Sequence, residues 1–275
     1  MKKALSTFLA FLILIGGVLA VEIYDSRHDI KEKYHRWQQG PIPETVTRSE
    51  FITTREETTD ESEDIEKPED RITEAERLEQ SLHPDPVENP PLINLYVPFA
   101  LQSPFAEWND VDKEACEEAS IIMLKGYFDD TPTFTKDELR EEIDRIVAYE
   151  MESLGYFEDT TALETTGLLK DLYDIDASVI ILDSLEDVKD EIADGNPVLL
   201  PAYGRALGNP YFRNDGPLYH MLIAKGYTET HIIVNDPGTR RGEDFLYEND
   251  VLWNAIHDWN DGEVEEGEKV MIVAK

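Results

Sequence analysis

Large apolar residues recur at regular intervals only between Leu92 and Lys275, and this stretch limits the fold more than any other feature of the sequence. Its length is that of a single domain with its own core. As far as Tyr173 the apolar spacing is helical, whereas the later apolar runs are short and typical of strands. Helices followed by a mostly antiparallel sheet indicate an α+β domain over residues 92–275.

Helix caps and turn residues give the predicted elements their bounds. Thr135, with Glu138 three residues later, forms a capping-box pattern, and Gly195 ends a helix. The predicted helices cover residues 114–127, 135–154, 161–173 and 184–193. The predicted strands cover residues 179–182, 197–203, 218–226, 231–236 and 269–273.

Residues 1–21 contain two lysines followed by an almost unbroken apolar run, which is typical of a signal peptide or an N-terminal membrane anchor. Such lysines stay on the cytoplasmic side. We therefore expect the chain after Glu22 to be secreted or to lie on the outer face of the cytoplasmic membrane. The alternative is a buried N-terminal helix of a cytosolic domain.

Residues 22–91 carry many charges and few large apolar side chains. Between Pro41 and Pro90 there are 16 Asp and Glu against 5 Lys and Arg. Such a segment cannot bury enough apolar surface to fold alone. We therefore predict a signal peptide or anchor over 1–21, an acidic and largely disordered tether over 22–91, and a folded domain over 92–275.

The acidity of the folded part narrows the partners that it can bind. Residues 92–275 contain 40 Asp and Glu against 14 Lys and Arg, an excess of 26 negative charges. Nucleic acids and anionic membrane surfaces would be repelled, whereas a peptide or protein substrate, a cationic one included, would not. Solubility of an exported protein explains the acidity equally well. We expect a monomer that meets a membrane only through an uncleaved N-terminal segment.

The chain contains a single cysteine, Cys116, ahead of a strongly helical stretch. An exported protein stabilised by disulfides needs an even number of cysteines. Cys116 is therefore an inert core residue, an intermolecular bridge or a nucleophile. The first turn of a helix stabilises a thiolate through its unpaired amides and its macrodipole. Glu117 and Glu118 oppose the thiolate, because each adds a negative charge beside it.

A thiolate nucleophile needs a base, and His220 is the best placed of the six histidines. It opens an apolar strand directly after a turn-forming Asn-Asp-Gly-Pro segment. The other histidines of the domain are His231 and His257, and the remaining three precede it. Residues 203–213 run into the His220 strand and are a candidate lining of a substrate cleft, with ordinary loop packing as the alternative.

Asp236 is the candidate for orienting the His220 ring. A hairpin turn at residues 228–229 would place it opposite His220 or Leu222, on the face of His220 in both cases. A one-residue slip would reverse this, and Asp before Pro-Gly is also an ordinary strand terminator. A metal site with His231 is disfavoured, because His231 and Asp236 differ in parity along their strand.

Four patterns occur together in chain order. They are Val97-Pro98-Phe99 with Gln102; Ala115-Cys116 with Ala119-Ser120 and Met123; Tyr219-His220-Met221 with Gly226-Tyr227; and Val234-Asn235-Asp236-Pro237-Gly238. The set resembles the bacteriocin-processing (double-glycine leader) cysteine peptidases, in particular their freestanding relatives in family thirty-nine of the cysteine peptidases, within the papain-like group. The resemblance spans roughly Leu95 to Val273.

The resemblance implies a papain-like fold and hydrolysis of peptide bonds through a thioester acyl-enzyme. Cys116 would be the nucleophile, His220 the general base and acid, and Asp236 the residue that orients His220. Gln102 would donate to the oxyanion. No metal or cofactor is expected. An inactive member of the fold that binds peptides or cell wall, and a papain-like amidase acting on peptidoglycan, are the alternatives.

Overall fold

The computed structural model describes residues 41–63 and 89–275. The predicted signal peptide or anchor, and most of the predicted tether, lie outside these residues. Within the described ranges, no helix has both the length and the apolar character needed to cross a membrane.

Helices dominate the first half of the described domain and strands the second half. The helices are α1 (Arg48–Glu63), α2 (Asp110–Glu114), α3 (Cys116–Phe128), α4 (Lys136–Ser153), α5 (Ala162–Tyr173), α6 (Glu186–Ala193) and α7 (Asn249–Ala255), with a 3₁₀ turn at Val264–Glu266. The strands are β1 (Ile93–Asn94), β2 (Ala177–Ile181), β3 (Val198–Tyr203), β4 (Tyr219–Tyr227), β5 (His231–Asn235), β6 (Phe245–Glu248) and β7 (Val270–Ala274). The predicted α+β class is confirmed.

The seven described strands form one sheet whose main order is β2-β7-β3-β4-β5-β6. All named strand pairs are antiparallel, and β1 pairs with the far end of β4 at Gly226 and Tyr227. Every residue of β4 is buried, and α3 and α6 both pack against this strand. The centre of the domain is therefore the contact between β4 and its helices.

Local signals explain where the predicted helices begin. Thr135 and Thr161 each accept a hydrogen bond from the main chain of a glutamate three residues on, and that glutamate bonds back to the cap. These are complete capping boxes, and they satisfy amides that would otherwise lack partners. By contrast, α3 begins without a side-chain cap, directly after Ala115.

Helix α3 occupies the interior of the domain. From Cys116 to Leu124 every residue is buried, including Glu117 and Glu118. A helix that is buried on all sides normally carries apolar residues there. The two carboxyl groups at its start are therefore costly to bury when they are ionised.

A short segment inside the predicted tether also packs on the domain. Val46 forms a parallel bridge with Leu95, and the Phe51 ring lies over Gly195. Arg55 pairs with Asp194. Phe51 and Arg55 belong to helix α1, whose composition is polar. This stretch therefore differs from the predicted disorder, because its few apolar side chains find partners on the domain. The division of the rest of the chain into three parts stays a prediction.

Candidate active site

The hairpin of β4 and β5 brings His220 and Asp236 together. Ile223 pairs with Asn235, so continuing this register by one residue sets Asp236 level with Leu222, as one of the two predicted registers required. His220 Nε2 lies 2.9 Å from Asp236 Oδ1, and both side chains are buried. A carboxylate only accepts, so Nε2 carries the proton and the Nδ1 atom of the neutral ring is an acceptor. Among the described residues, Nδ1 has no hydrogen-bond partner.

Asp236 is held by three further donors. Tyr247 Oη donates to Oδ2 over 2.7 Å and Asn209 Nδ2 donates to the same oxygen over 3.1 Å, while the Gly238 amide donates to Oδ1 over 3.0 Å. Burial disfavours the charged form, but His220 and these hydrogen bonds outweigh it and lower the pKa of Asp236. The carboxylate is thus ionised and fixed, which is what orienting an imidazole requires.

Cys116 contacts the part of β4 that is not paired with β5. Beyond Ile223, β5 no longer pairs with β4, so the main chain of Met221 is open to other partners. Ser120 Oγ donates to the Met221 carbonyl over 3.2 Å, and the Met221 main chain also hydrogen-bonds to Cys116. The first turns of α3 are thereby fixed beside the residue that follows His220.

The thiol of Cys116 is directed at Glu117. Its Sγ atom donates to Glu117 Oε2 over 2.9 Å, and no hydrogen bond joins it to His220 among the described contacts. Burial raises the pKa of Cys116 well above its usual range, and the Glu117 charge raises it further. The Met221 main chain acts in the opposite direction. The thiol form is therefore favoured in this resting arrangement.

Two further carboxyl groups lie behind Glu117. Glu118 on α3 interacts with Glu150 on α4, and both side chains are fully buried. Burial raises the pKa of Glu150 to about 8 and that of Glu118 well above its usual range. Two such groups cannot both ionise cheaply, so the pair retains a proton. The sequence predicted that Glu117 and Glu118 oppose the thiolate, but it did not predict that Glu150 lies against Glu118.

The loop at residues 203–213 borders the His220 side of the site. The ring of Phe212 packs edge-on against the imidazole of His220 with centroids 5.2 Å apart. A Cβ on Gly238 would come within 2.9 Å of Phe212 and 3.1 Å of His220, so glycine is needed for this close packing. Arg213 lies over the Trp108 ring. The loop thus packs beside His220, while its role as the lining of a substrate cleft stays a prediction.

Gln102 links the residue that follows Asp236 to the segment that precedes Cys116. Its main-chain amide donates to the Pro237 carbonyl, and its side-chain nitrogen donates to the carbonyls of Asp112 and Lys113. Both hydrogens of that nitrogen are therefore used, while Oε1 is buried without a described partner. Its side chain is thereby tied to the segment that precedes Cys116, and the role of oxyanion donor stays a prediction.

Asp112 explains how the loop after Gln102 folds back. It is buried and accepts from Ser103 Oγ over 2.5 Å and from the Trp108 amide over 3.1 Å. Arg140 on α4 pairs with its other oxygen over 2.8 Å. The carboxylate thus pins the loop to the helix layer. Sequence reasoning missed Asp112, because its partners are scattered along the chain.

The remaining histidines of the domain have other partners. His257 Nδ1 contacts the Gly267 carbonyl over 2.7 Å, and His231 Nδ1 contacts Thr230 Oγ1 over 2.8 Å. In the part of the chain that the structure describes, no group of three or more His, Cys, Asp or Glu side chains is arranged to hold a metal ion. His220 is accordingly the histidine that the structure couples to a carboxylate near Cys116.

Comparison with known proteins gives one family match. The family model described as "Peptidase_C39 like family" matches residues 95–260, which include Gln102, Cys116, His220 and Asp236. No curated protein shows significant similarity to the chain. A crystal structure from Bacillus anthracis that carries the provisional description of a C39-like peptidase matches with 16% identity and a TM-score of 0.43. That match covers 65% of this chain and 94% of the other.

Proposed function

Because this chain belongs to the Peptidase C39-like family, we propose that it is a cysteine peptidase that hydrolyses peptide bonds through Cys116, His220 and Asp236. Membership and the α+β architecture agree with the papain-like fold that the sequence predicts. The observation that carries the proposal is the buried pair of His220 and Asp236, whose free ring nitrogen is an acceptor beside the helix that begins at Cys116.

The chemistry follows from these groups. His220 Nδ1 accepts the proton of the Cys116 thiol, and the resulting thiolate attacks the carbonyl carbon of a peptide bond. Asp236 stabilises the imidazolium that forms. The same imidazolium then protonates the leaving amine. The neutral imidazole next accepts a proton from water, whose oxygen attacks the thioester carbon; the C–S bond breaks, the acid leaves, and the proton returns to the Cys116 sulfur. Main-chain amides at the start of α3, with Gln102 after rotation of its side chain, would hold the oxyanion.

Location and substrate class are part of the proposal. Residues 1–21 support export, so the substrate would be a peptide or protein outside the cytoplasmic membrane. A chain with a formal charge of −35 attracts cationic peptides and repels nucleic acids.

A peptide library analysed by mass spectrometry tests the proposal. The wild type should cleave some members, whereas Cys116→Ala and His220→Ala should lower turnover by at least about a thousandfold. His231→Ala is the matched control, since it removes a histidine of the same sheet that lies outside the pair. The peptidase function fails if Cys116→Ala retains wild-type turnover, or if no library member is cleaved under any condition. The second outcome would favour the inactive binding member of the fold.

A further inference from the structure

We propose that Glu117 is a catalytic residue of this site, whose own protonation decides whether Cys116 can become a nucleophile. The inference rests on the proposed function, in which Cys116 is the attacking group. It goes beyond that function by adding a carboxyl group that contacts the reacting sulfur atom itself.

The contact between the two side chains is short and buried. Cys116 Sγ lies 2.9 Å from Glu117 Oε2, and the residues are only 5% and 1% exposed. The second oxygen, Oε1, has no hydrogen-bond partner among the described residues. No described cation compensates Glu117. The carboxyl group is therefore directed at the sulfur, with no opposite charge paired with it among the described residues.

The two groups behave as one titrating unit. Two negative charges at this separation repel strongly in a buried site, so a thiolate and an ionised Glu117 cannot coexist cheaply. With Glu117 ionised, Cys116 keeps its proton, and the S–H group donates a hydrogen bond to the carboxylate. With Glu117 neutral, the repulsion disappears and its O–H can donate to the sulfur. The thiol proton then moves to His220 Nδ1, which leaves a thiolate and an imidazolium, and no other atom is exchanged.

The surrounding groups favour the neutral form of Glu117. Burial raises its pKa well above the usual value, and the negative charge of Glu118 raises it further. Glu118 lies on the same helix, Glu150 faces it from α4 and Asp159 from the loop before α5, while Tyr219 and His220 face the site from β4. Of these, only His220 can become a cation. Glu117 thus keeps its proton up to a pH well above the pKa of an exposed glutamate, because of burial and the neighbouring carboxyl groups.

Activity should fall with increasing pH as Glu117 ionises. Below the folded-state pKa of Glu117, the carboxyl is neutral and Cys116 can transfer its proton to His220. Activity is lost as the pH rises through that pKa, because the ionised carboxylate restores the thiol. This is the reverse of the behaviour of an isolated thiol, whose reactivity increases with pH.

The single cysteine of the chain makes the test specific. The rate of alkylation by iodoacetamide, measured against pH on the full chain, reports Cys116 alone. In the wild type the rate should fall as the pH rises through the ionisation of Glu117. Glu117→Gln fixes an uncharged side chain of the same shape, so the fall should disappear and the rate on its alkaline side should be about tenfold or more higher.

Glu118→Gln is the matched variant. It leaves the contact of Glu117 with the sulfur intact and removes a charge that holds the proton on Glu117. The fall should therefore remain but move to lower pH. This variant decides alone if Glu117→Gln does not fold, since an unshifted profile would overturn the inference.

Two other results would also overturn it: equal profiles of Glu117→Gln and the wild type, or slower alkylation of Glu117→Gln at every pH. The peptide library is measured in parallel. Profiles that depend on Glu117 in a chain without peptidase activity would reject the proposed function and keep the control of Cys116 by Glu117. Peptidase activity with profiles independent of Glu117 would do the opposite.

Discussion

At the scale of single residues, Asp236 is the best-supported group of the candidate site. It accepts from a histidine, a tyrosine, an asparagine and a main-chain amide, while being completely buried. A buried carboxylate with this many donors is both ionised and fixed in orientation. Its partners Tyr247 and Asn209 are therefore positioning residues, because they act on His220 only through Asp236.

Tyr247→Phe tests this arrangement. Loss of the hydroxyl removes one charge-assisted hydrogen bond from Asp236, so the pKa of Asp236 should rise and the acid limb of the pH–rate profile should move to higher pH by less than about one unit. We expect kcat/KM to fall by about tenfold, equivalent to about 1.4 kcal/mol. Steady-state kinetics on a cleaved library peptide measure both effects.

Tyr227→Phe is the control for that variant. It removes a hydroxyl from the far end of β4, where Tyr227 donates to the Pro90 carbonyl. Its acid limb should match that of the wild type. If Tyr247→Phe also left the acid limb in place, Tyr247 would be only a packing residue.

The sequence suggests the members of the candidate site but not the groups that hold them in place. Cys116, His220 and Asp236 follow from local patterns, since a helix start, a strand start and a hairpin turn are each visible within a few residues. Asn209, in the loop at residues 203–213, and Tyr247, on β6, reach Asp236 from 27 and 11 residues away. No periodicity connects such positions, so only the folded chain reveals them.

At the scale of elements, helices and strands with local signals were predicted, whereas those that depend on contacts distant in sequence were not. Helices α4 and α5 were predicted to within one residue because their capping boxes are complete. Strand β6 and helix α7 were not predicted, since they are short and neither carries a cap or a clear apolar repeat. Helix α1 was missed for another reason. Its sequence is polar, and the contacts that accompany it are with parts of the domain distant in sequence.

Phe51→Ala tests the docking of α1. The ring lies over Gly195, which has a φ of +88° and no room for a side chain beneath Phe51. Removing this half-buried ring should lower the free energy of unfolding by about 1–2 kcal/mol, less than for a fully buried phenylalanine. Urea denaturation of the full chain measures it. Ile52→Ala, at the neighbouring and exposed position, should change stability by less than about 0.5 kcal/mol. Equal effects of the two variants would refute specific docking.

At the scale of the whole molecule, acidity and burial act together on stability. The formal charge of −35 produces self-repulsion in the compact state, which salt should screen. Glu117, Glu118 and Glu150 add a second contribution, because each is buried and each has a raised pKa. Both contributions weaken the folded state as the pH rises from acid to neutral.

Proton linkage gives the direction in which stability changes with pH. Below about pH 4.5, Glu150 is protonated in both the folded and the unfolded chain. Between that value and its folded pKa of about 8, only the folded chain keeps the proton. Stability therefore falls with increasing pH in this window, by about 1.4 kcal/mol per pH unit for each such proton. Asp236 acts oppositely, since its lowered pKa removes stability only when the pH falls below the usual range of a carboxyl group.

We therefore expect maximal stability under mildly acidic conditions and a steady loss toward pH 8, measured by urea denaturation at constant ionic strength. Urea is preferable to guanidinium, which would screen the charges. Glu150→Gln should reduce the slope of stability against pH, because the amide has no proton to lose. Glu152→Gln, on the exposed face of the same helix, removes an equal formal charge without a buried proton and should leave the slope nearly unchanged. Equal slopes in the two variants would show that net charge, rather than the buried proton of Glu150, sets the pH dependence.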